Sequence, residues 1–557
     1  MRAGRHGRLF GKFSPFLLAP PFVLAAAVAV VALIGTSHRH VRTVHASPPA
    51  QAGEADLALG EKVYHDRCAF CHADAGDGNG PVADYLLPRP RDFTGSVFKL
   101  ASSTDDTLPS DADVLRTIEE GIPGTAMPAW GDVLSEAEIA AVLAHIKTFD
   151  AGSWEDEGLK AKSLDTSNPP SVDQALIDRG RELFVSEEAN CLSCHGQAGR
   201  GDGPSAVNTE EPMVDDWGQP TYPRDLTESW NFKGGHALAD IFTRITTGMP
   251  GSPMPAHADA LPEDTDRWAL AAYVQSLGET LSEEDVLTAV RSSTLPARPD
   301  DPAWDQAPKL VIPLAGQVVF PPRWQNPSVD AAGIQAVYDD DAIAFRLTWD
   351  DRLSDQSDSG QAPALPAKTK TYVAPIVDYH TKHPAYSDKV ELQFPAKLEQ
   401  GPARPYFLYG DTGEPVVLWR WDAKTDKAAV LTQAGFSQAA APLAPAGPPV
   451  QGASAWADGR YQVVFTRPRQ AAAGDVAFPA GVPIPFAIHA WDGSNGETSW
   501  VDKDGNAHHF NSVSAWYAVV LKTETPPSIY VWALAAAGLV FGGEWALGRW
   551  LNRRRSS

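Results

Sequence analysis

A chain of 557 residues is too long to fold around one core and implies several domains. Its formal charge of −24, from 46 Lys and Arg against 70 Asp and Glu, excludes nucleic acid or anionic headgroups as the principal partner, because phosphate recognition needs clustered cations. Proline (47) and glycine (45) are frequent enough to predict many turns and ordered loops rather than long helical bundles.

The chain opens on a basic arm (Arg2, Arg5, Arg8, Lys12) and then an apolar run from Phe16 to Ile34. Soluble domains rarely begin this way, so residues 1–50 read as an export signal or a signal anchor. Val44-His45-Ala46 resembles a small-residue cleavage site.

A series of short motifs follows: LALGEKVY (Leu57 to Tyr64), a helix start; CAFCHADAGDGNGP (Cys68 to Pro81); PRDFTGSVFK (Pro90 to Lys99); GIPGTAMPAW (Gly121 to Trp130); and an amphipathic helix, SEAEIAAVLAHIKTF. After a short linker, DTSNPPSVD, the series recurs as IDRGRELF (Ile177 to Phe184), CLSCHGQAGRGDGP (Cys191 to Pro204), PRDLTESWNFK (Pro223 to Lys233), GMPGSPMPAH (Gly248 to His257) and PEDTDRWALAAYVQSL. Two homologous, small, all-α domains are expected, over 51–150 and 170–280.

All four cysteines fall in the two Cys-x-x-Cys-His runs. A disulfide framework would need cysteines elsewhere, a zinc site would need further ligands at close spacing, and a redox dithiol requires neither the histidine nor a second copy. The remaining chemistry is covalent haem c. Cys68 and Cys71, and again Cys191 and Cys194, form thioethers with the vinyl groups, while His72 and His195 lie under the iron as axial ligands. Methionine is scarce, with five in the chain, yet it recurs as Met127 and Met254 at matching places in the second motif. These are the expected sixth ligands, each held in an extended loop by the following proline. The alternative is that they pack against the haem edge. Met249 competes with Met254, but only Met254 aligns with Met127. Thioether ligation favours the ferrous state, and filled axial positions disfavour substrate chemistry at iron. With attachment motif, methionine loop and terminal helix in order, both modules resemble class I c-type cytochromes, which implies two haems c.

After about Arg298 the texture changes. β-type runs such as AIAFRLTW, KVELQF, PVVLWRW, YQVVFTR, PIPFAIHAW and WYAVVL alternate with Asp, Gly and Pro clusters, predicting a mainly-β sandwich over 300–522. The stretch near Gln438 to Pro449 reads as a surface loop. PAWDQA (Pro302 to Ala307), AIAFRLTWDD, DKVELQFP, VVLWRWDA, VVFTRP, FAIHAWDG and SVSAWY (Ser512 to Tyr517) resemble the haem-binding subunit of ethylbenzene dehydrogenase and related type II enzymes of the dimethyl sulfoxide reductase family. That resemblance implies a haem b held between a methionine and a lysine. No methionine follows Met254; Leu392 stands in its place and Asn511 in that of the lysine. His380, His383, His489, His508 and His509 are the substitutes available. Three readings stay open: a rewired haem b, an empty sandwich serving as a docking platform, or a sugar-binding-like module.

A second apolar span, Ile529 to Leu547, carries aromatic residues toward its ends and is followed by Arg549, Arg553, Arg554 and Arg555. This predicts a transmembrane anchor over 527–551 with its C-terminus inside and the intervening domains outside the cytoplasm. The expected function is a membrane-anchored dihaem cytochrome passing single electrons between an extracytoplasmic redox enzyme and a respiratory chain. A molybdenum and iron–sulfur enzyme is the partner that the third domain's resemblance implies. The alternatives are a dihaem oxidoreductase acting on a small sulfur or nitrogen compound, and a glycan-binding module fused to cytochromes.

Overall fold

The computed structural model describes residues 54–104, 107–208, 210–364, 383–398, 404–443, 449–470 and 475–522, with Gly543, Trp545 and Arg549. The N-terminal segment, nearly all of the expected C-terminal anchor, and His380 lie outside the described residues. Among those described, no helix is long and apolar enough to cross a membrane.

The first module consists of α1 (Glu54–Arg67), the single turn α2 (Ala69–His72), α3 (Asp111–Glu120), α4 (Glu136–Thr148) and α5 (Ala151–Glu155). Serine sets two of the starts: Ser110 and Ser135 cap α3 and α4, and Asp113 and Glu138 close the reciprocal capping boxes. Val63, Tyr64, Phe93, Val114, Ile118 and Val142 fill the core. The second module repeats the plan with α6 (Gln174–Phe184), α7 (Leu192–His195), α8 (Leu238–Thr247) and α9 (Asp264–Leu277). The glycine shared by LALG and IDRG explains how α1 crosses α4 in the first copy and α6 crosses α9 in the second. A Cβ on Gly60 would land on the Ala141 carbonyl, and one on Gly180 on the Ala269 carbonyl, so only glycine permits the approach.

The two modules pack directly on each other. Arg244 of α8 donates through Nη1 to the Lys99 carbonyl at 2.7 Å and through Nη2 to that of Ala101. Lys99 pairs with Asp215 at 3.0 Å, and Arg116 with Asp240 at 2.7 Å. The Arg91 guanidinium lies 4.1 Å from the Trp217 ring centre.

The β domain comprises β1 (Val286–Arg291), β2 (Leu310–Pro313), β3 (Ala315–Gly316), β4 (Ala331–Tyr338), β5 (Ala342–Asp350), β6 (Lys389–Pro395), β7 (Val416–Asp422), β8 (Lys427–Gln433), β9 (Ala441–Pro442), β10 (Gln451–Ala457), β11 (Arg460–Pro468), β12 (Ile484–Trp491), β13 (Thr498–Val501), β14 (Ala507–Phe510), β15 (Ser512–Val513) and β16 (Tyr517–Leu521). Its main sheet runs β10-β11-β5-β4-β1-β16-β12-β6-β7-β8-β9. The two halves face each other across one core, where Phe345 of β5 meets Phe394 of β6 and Trp349 meets Trp421 of β7. The sheet starts upstream of residue 300, because β1 pairs in parallel with both β16 and β4. Within the stretch read as a surface loop, β9 adds a two-residue edge strand.

Module two also binds the β domain. Asn231 donates to Asp330 at 2.8 Å, Thr227 to Asp350 at 2.9 Å, and Arg460 of β11 pairs with Glu279 at 2.8 Å.

Candidate haem sites

In the first module, α1 leads into α2, the turn that carries the Cys-x-x-Cys-His motif. Cys68, Cys71, His72 and Met127 line one cavity of about 300 Å³, together with apolar side chains such as Phe93 and Val142. His72 is held from behind: Nδ1 lies 2.9 Å from the Arg91 carbonyl, and the ring stacks on Phe93 at 4.7 Å. A carbonyl partner fixes the proton on Nδ1 and leaves Nε2 as the lone-pair donor, the arrangement found behind metal-bound imidazoles. Burial lowers the His72 pKa further, favouring the neutral ring that ligation requires.

In the second module the histidine is held in the same way. His195 Nδ1 lies 3.0 Å from the Arg224 carbonyl, and burial pushes its pKa down to about 4. Arg91 and Arg224 are the central residues of the repeated Pro-Arg-Asp motif. The repeat was visible in the sequence, but the role of its carbonyl was not, since main-chain groups leave no compositional mark.

The methionine loops also correspond. The Ile122 N–H donates to the Met127 carbonyl at 3.1 Å, and the Met249 N–H to the Met254 carbonyl at 3.1 Å. Each methionine thus sits at the foot of a tight loop that returns it beneath the preceding helix. Met249, level with Ile122 in its own loop, lines the cavity of the first module together with Lys233. Sequence alignment could not reveal this crossing, which follows from packing between the modules.

The donor set can be tested against haem c. Burial holds the Cys68 and Cys191 thiols up at about 11, opposite to the depressed pKa of a redox dithiol. Arg91, Lys99 and Lys233 all line the first cavity, and burial, then repulsion from Arg224, Lys99 and Arg91, lowers Lys233 to about 7. These cations, with Arg67 and Arg89 also on the wall of a largely apolar cavity, suit the two propionates of a haem. The residues therefore fit the group, which supplies a one-electron iron couple when bound.

Of the third-domain candidates, Asn511, His489 and His509 gather around Tyr409, whose ring stacks on the two imidazoles at 4.5 and 4.3 Å, while Leu392 lies apart from them. Leu392 points into the hydrophobic core with its neighbours Val390 and Phe394. Asn511 lies on the other face of the same sheet, its Nδ2 3.3 Å from His489 Nδ1 and 3.4 Å from the Tyr409 hydroxyl. His509 contacts Ser499 and the Phe436 carbonyl, His508 contacts Asp502, and His383 contacts the Ser494 carbonyl.

Comparison with known proteins agrees with this plan. Residues 55–146 match the family of cbb3-type cytochrome c oxidase subunit III, residues 177–278 the cytochrome c family, and residues 301–445 the ethylbenzene dehydrogenase family. The chain is 36% identical to cytochrome c6 of Chlorolobion braunii over 18% of its own length and 98% of that protein's. It is 24% identical to the provisionally named respiratory nitrate reductase heme subunit ORF7 of Haloferax mediterranei, over 42% of this chain and 72% of that one. A chain of the reducing HAO-like protein complex Kustc0457/Kustc0458 of Kuenenia stuttgartiensis is 37% identical over 42% of this chain and all of its own, with a TM-score of 0.38. The chain belongs to the cytochrome c family: two cytochrome c domains, with the covalent haem c and electron-transfer role such domains carry, precede an ethylbenzene dehydrogenase domain.

Proposed function

We propose that the chain is a dihaem electron carrier on the outer face of the cytoplasmic membrane, anchored through residues 527–551 and exported by residues 1–50. Cys68 and Cys71 tether one haem between His72 and Met127, and Cys191 and Cys194 tether the other between His195 and Met254. The supporting observation is the gathering of Cys68, Cys71, His72 and Met127 around a single cavity, with the His72 proton fixed by the Arg91 carbonyl. Single electrons pass between an extracytoplasmic oxidoreductase, for which a molybdenum and iron–sulfur enzyme is the preferred candidate, and a respiratory chain. The names of the relatives, a nitrate reductase heme subunit and a cbb3-type oxidase subunit, support such partners.

In this reading the β domain docks the partner and carries no haem b. The placement of Leu392 and Asn511 on opposite faces of one sheet supports this reading, in which the two positions that replace the family's methionine and lysine do not share a porphyrin.

The test is a pyridine haemochrome count on the purified chain, with carbon monoxide added to the reduced protein. Two haems c, no haem b and no carbon monoxide adduct are expected, whereas Met127→Ala should open one haem to carbon monoxide. A colourless chain made alongside a working cytochrome maturation system would defeat the proposal. A b-type signal would restore the third haem, and a wild-type carbon monoxide adduct would favour catalysis at iron.

A further inference from the structure

Among the described residues, two groups of carboxylates converge, and their surroundings differ. Asp225, Glu228 and Asp350, between module two and the β domain, are met by arginine: Arg200 reaches Asp350 at 3.0 Å, and Arg460 pairs with the same carboxylate. Asp351, Asp388 and Asp492, inside the β domain, offer one oxygen each within 4.8 Å of the others and are only 4%, 0% and 2% exposed. Asp355 stands beside them, its main-chain N–H donating to Asp388 at 2.6 Å.

Every donor that reaches the second group is neutral. Asp351 accepts from the Leu353 N–H at 3.2 Å; Asp388 from the Tyr461 hydroxyl at 2.9 Å and the Gly493 N–H at 2.8 Å; Asp492 from the Ser328 and Ser494 hydroxyls, both at 2.6 Å, and the Asn495 N–H at 3.0 Å. Among the described residues, no Lys, Arg or His forms an ion pair with Asp351, Asp355, Asp388 or Asp492. The second oxygen of Asp351 is buried with no hydrogen-bond partner. Buried carboxylates without a cation either take up protons or coordinate a metal. Burial and then mutual repulsion hold both Asp351 and Asp388 well above the usual carboxylate range. The group is therefore one positive charge, or two, short of balance.

We propose that Asp351, Asp388 and Asp492 bind a hard divalent cation, calcium in kind, at a site that uses the unpartnered oxygen of Asp351. The donors are all oxygens, which excludes the metals that select thiolate or imidazole. Calcium takes oxygens at about 2.3–2.6 Å, so oxygens on opposite sides of it stand up to about 5 Å apart, which accommodates the observed spread. Asp351 and Asp492 also line the cavity of about 850 Å³ between the modules and the β domain, which gives an ion a path to the site. The cation ties together the ends of β5 and β12 and the start of β6, three points far apart in the chain, and so stiffens the wall that faces the cytochrome modules. The inference is independent of the haem assignment.

The test is calorimetric titration of the full-length holoprotein with calcium chloride after dialysis against EGTA, repeated with magnesium chloride and followed by thermal unfolding. A single calcium per chain, weaker magnesium binding and a raised unfolding midpoint are expected. Altering a group one bond outside a metal's ligand set costs roughly 10–100-fold in affinity, so Asp351→Asn should cost at least that much. The proposal is overturned if the EGTA-treated wild type takes up no calcium, or if Asp351→Asn binds it as tightly as wild type. The wild-type titration decides the matter even if the variant fails to fold.

Discussion

Gly121 and Gly248 show how single positions set the geometry of both methionine loops. Each ends a helix at positive φ, 70° and 63°, and a Cβ there would stand 2.6 Å from the main chain of the methionine loop, at Ala129 and at Ala256. Such backbone angles cost a non-glycine residue about 1–3 kcal/mol before any clash is counted. Gly121→Ala should therefore lower stability by at least that amount in chemical denaturation and weaken the optical signature of methionine ligation, with Gly248→Ala acting likewise on the second module. Lys233 offers a further single-residue test. Removing a cation from the first cavity favours the ferric state, so Lys233→Met should lower one of the two midpoint potentials in a redox titration and leave the other nearly unchanged. The Cys-x-x-Cys-His motifs were legible in the sequence because thioether attachment dictates their spacing, and Met127 and Met254 because they recur at matching places in a chain with five methionines. Met249 and Lys233 were not, because they serve a module other than the one whose motif contains them.

Among the elements, the contact between module two and the β domain should respond to pH. Burial, followed by repulsion from Asp350, raises the Asp225 pKa to about 7, and burial raises Asp330 to about 6. Burial also opposes ionisation of Asp350, but hydrogen bonds and charge from Arg460, with Arg200 nearby, hold it below the usual range. Glu228 and Arg224 complete the charged set, Glu228 being raised by burial and then by Asp225. A carboxyl whose folded pKa exceeds its unfolded value stabilises fully below the unfolded pKa, near 4, and loses that contribution as pH rises through the folded one. The unfolding midpoint should thus fall between about pH 5 and pH 8, and Asp225→Asn should flatten that slope in thermal scans. The closing helices of both modules, α4 and α9, could be read from periodicity. Strand β1 could not: its partners β4 and β16 lie far along the chain, and six residues after an acidic run carry no signal of which distant strands they join.

For the whole molecule, the joint between the cytochrome modules matters most. Arg244 is half-buried with its pKa lowered to about 10, and it donates to two carbonyls of the other module as well as to that of Gly248. Hydrogen bonds from a charged donor contribute about 1.5–3 kcal/mol, so Arg244→Met should cost roughly that much and separate one unfolding transition into two, seen when haem absorbance and tryptophan fluorescence cease to coincide. Composition announced several domains but could not say that they would press together, because the residues at the joint are ordinary polar ones. The pairing of β1 with β16 has an outcome in time as well as in space. Among the described strands, the ladders of the two halves join only along this seam, and its second strand, Tyr517–Leu521, is the last of them to be synthesised. On the proposed export route, both cysteine motifs emerge and are open to the maturation machinery while the β domain is still two unclosed leaves. A premature stop shortly before Tyr517 would leave finished, coloured cytochromes attached to a pair of raw strand edges, a product expected to aggregate despite its intact redox centres.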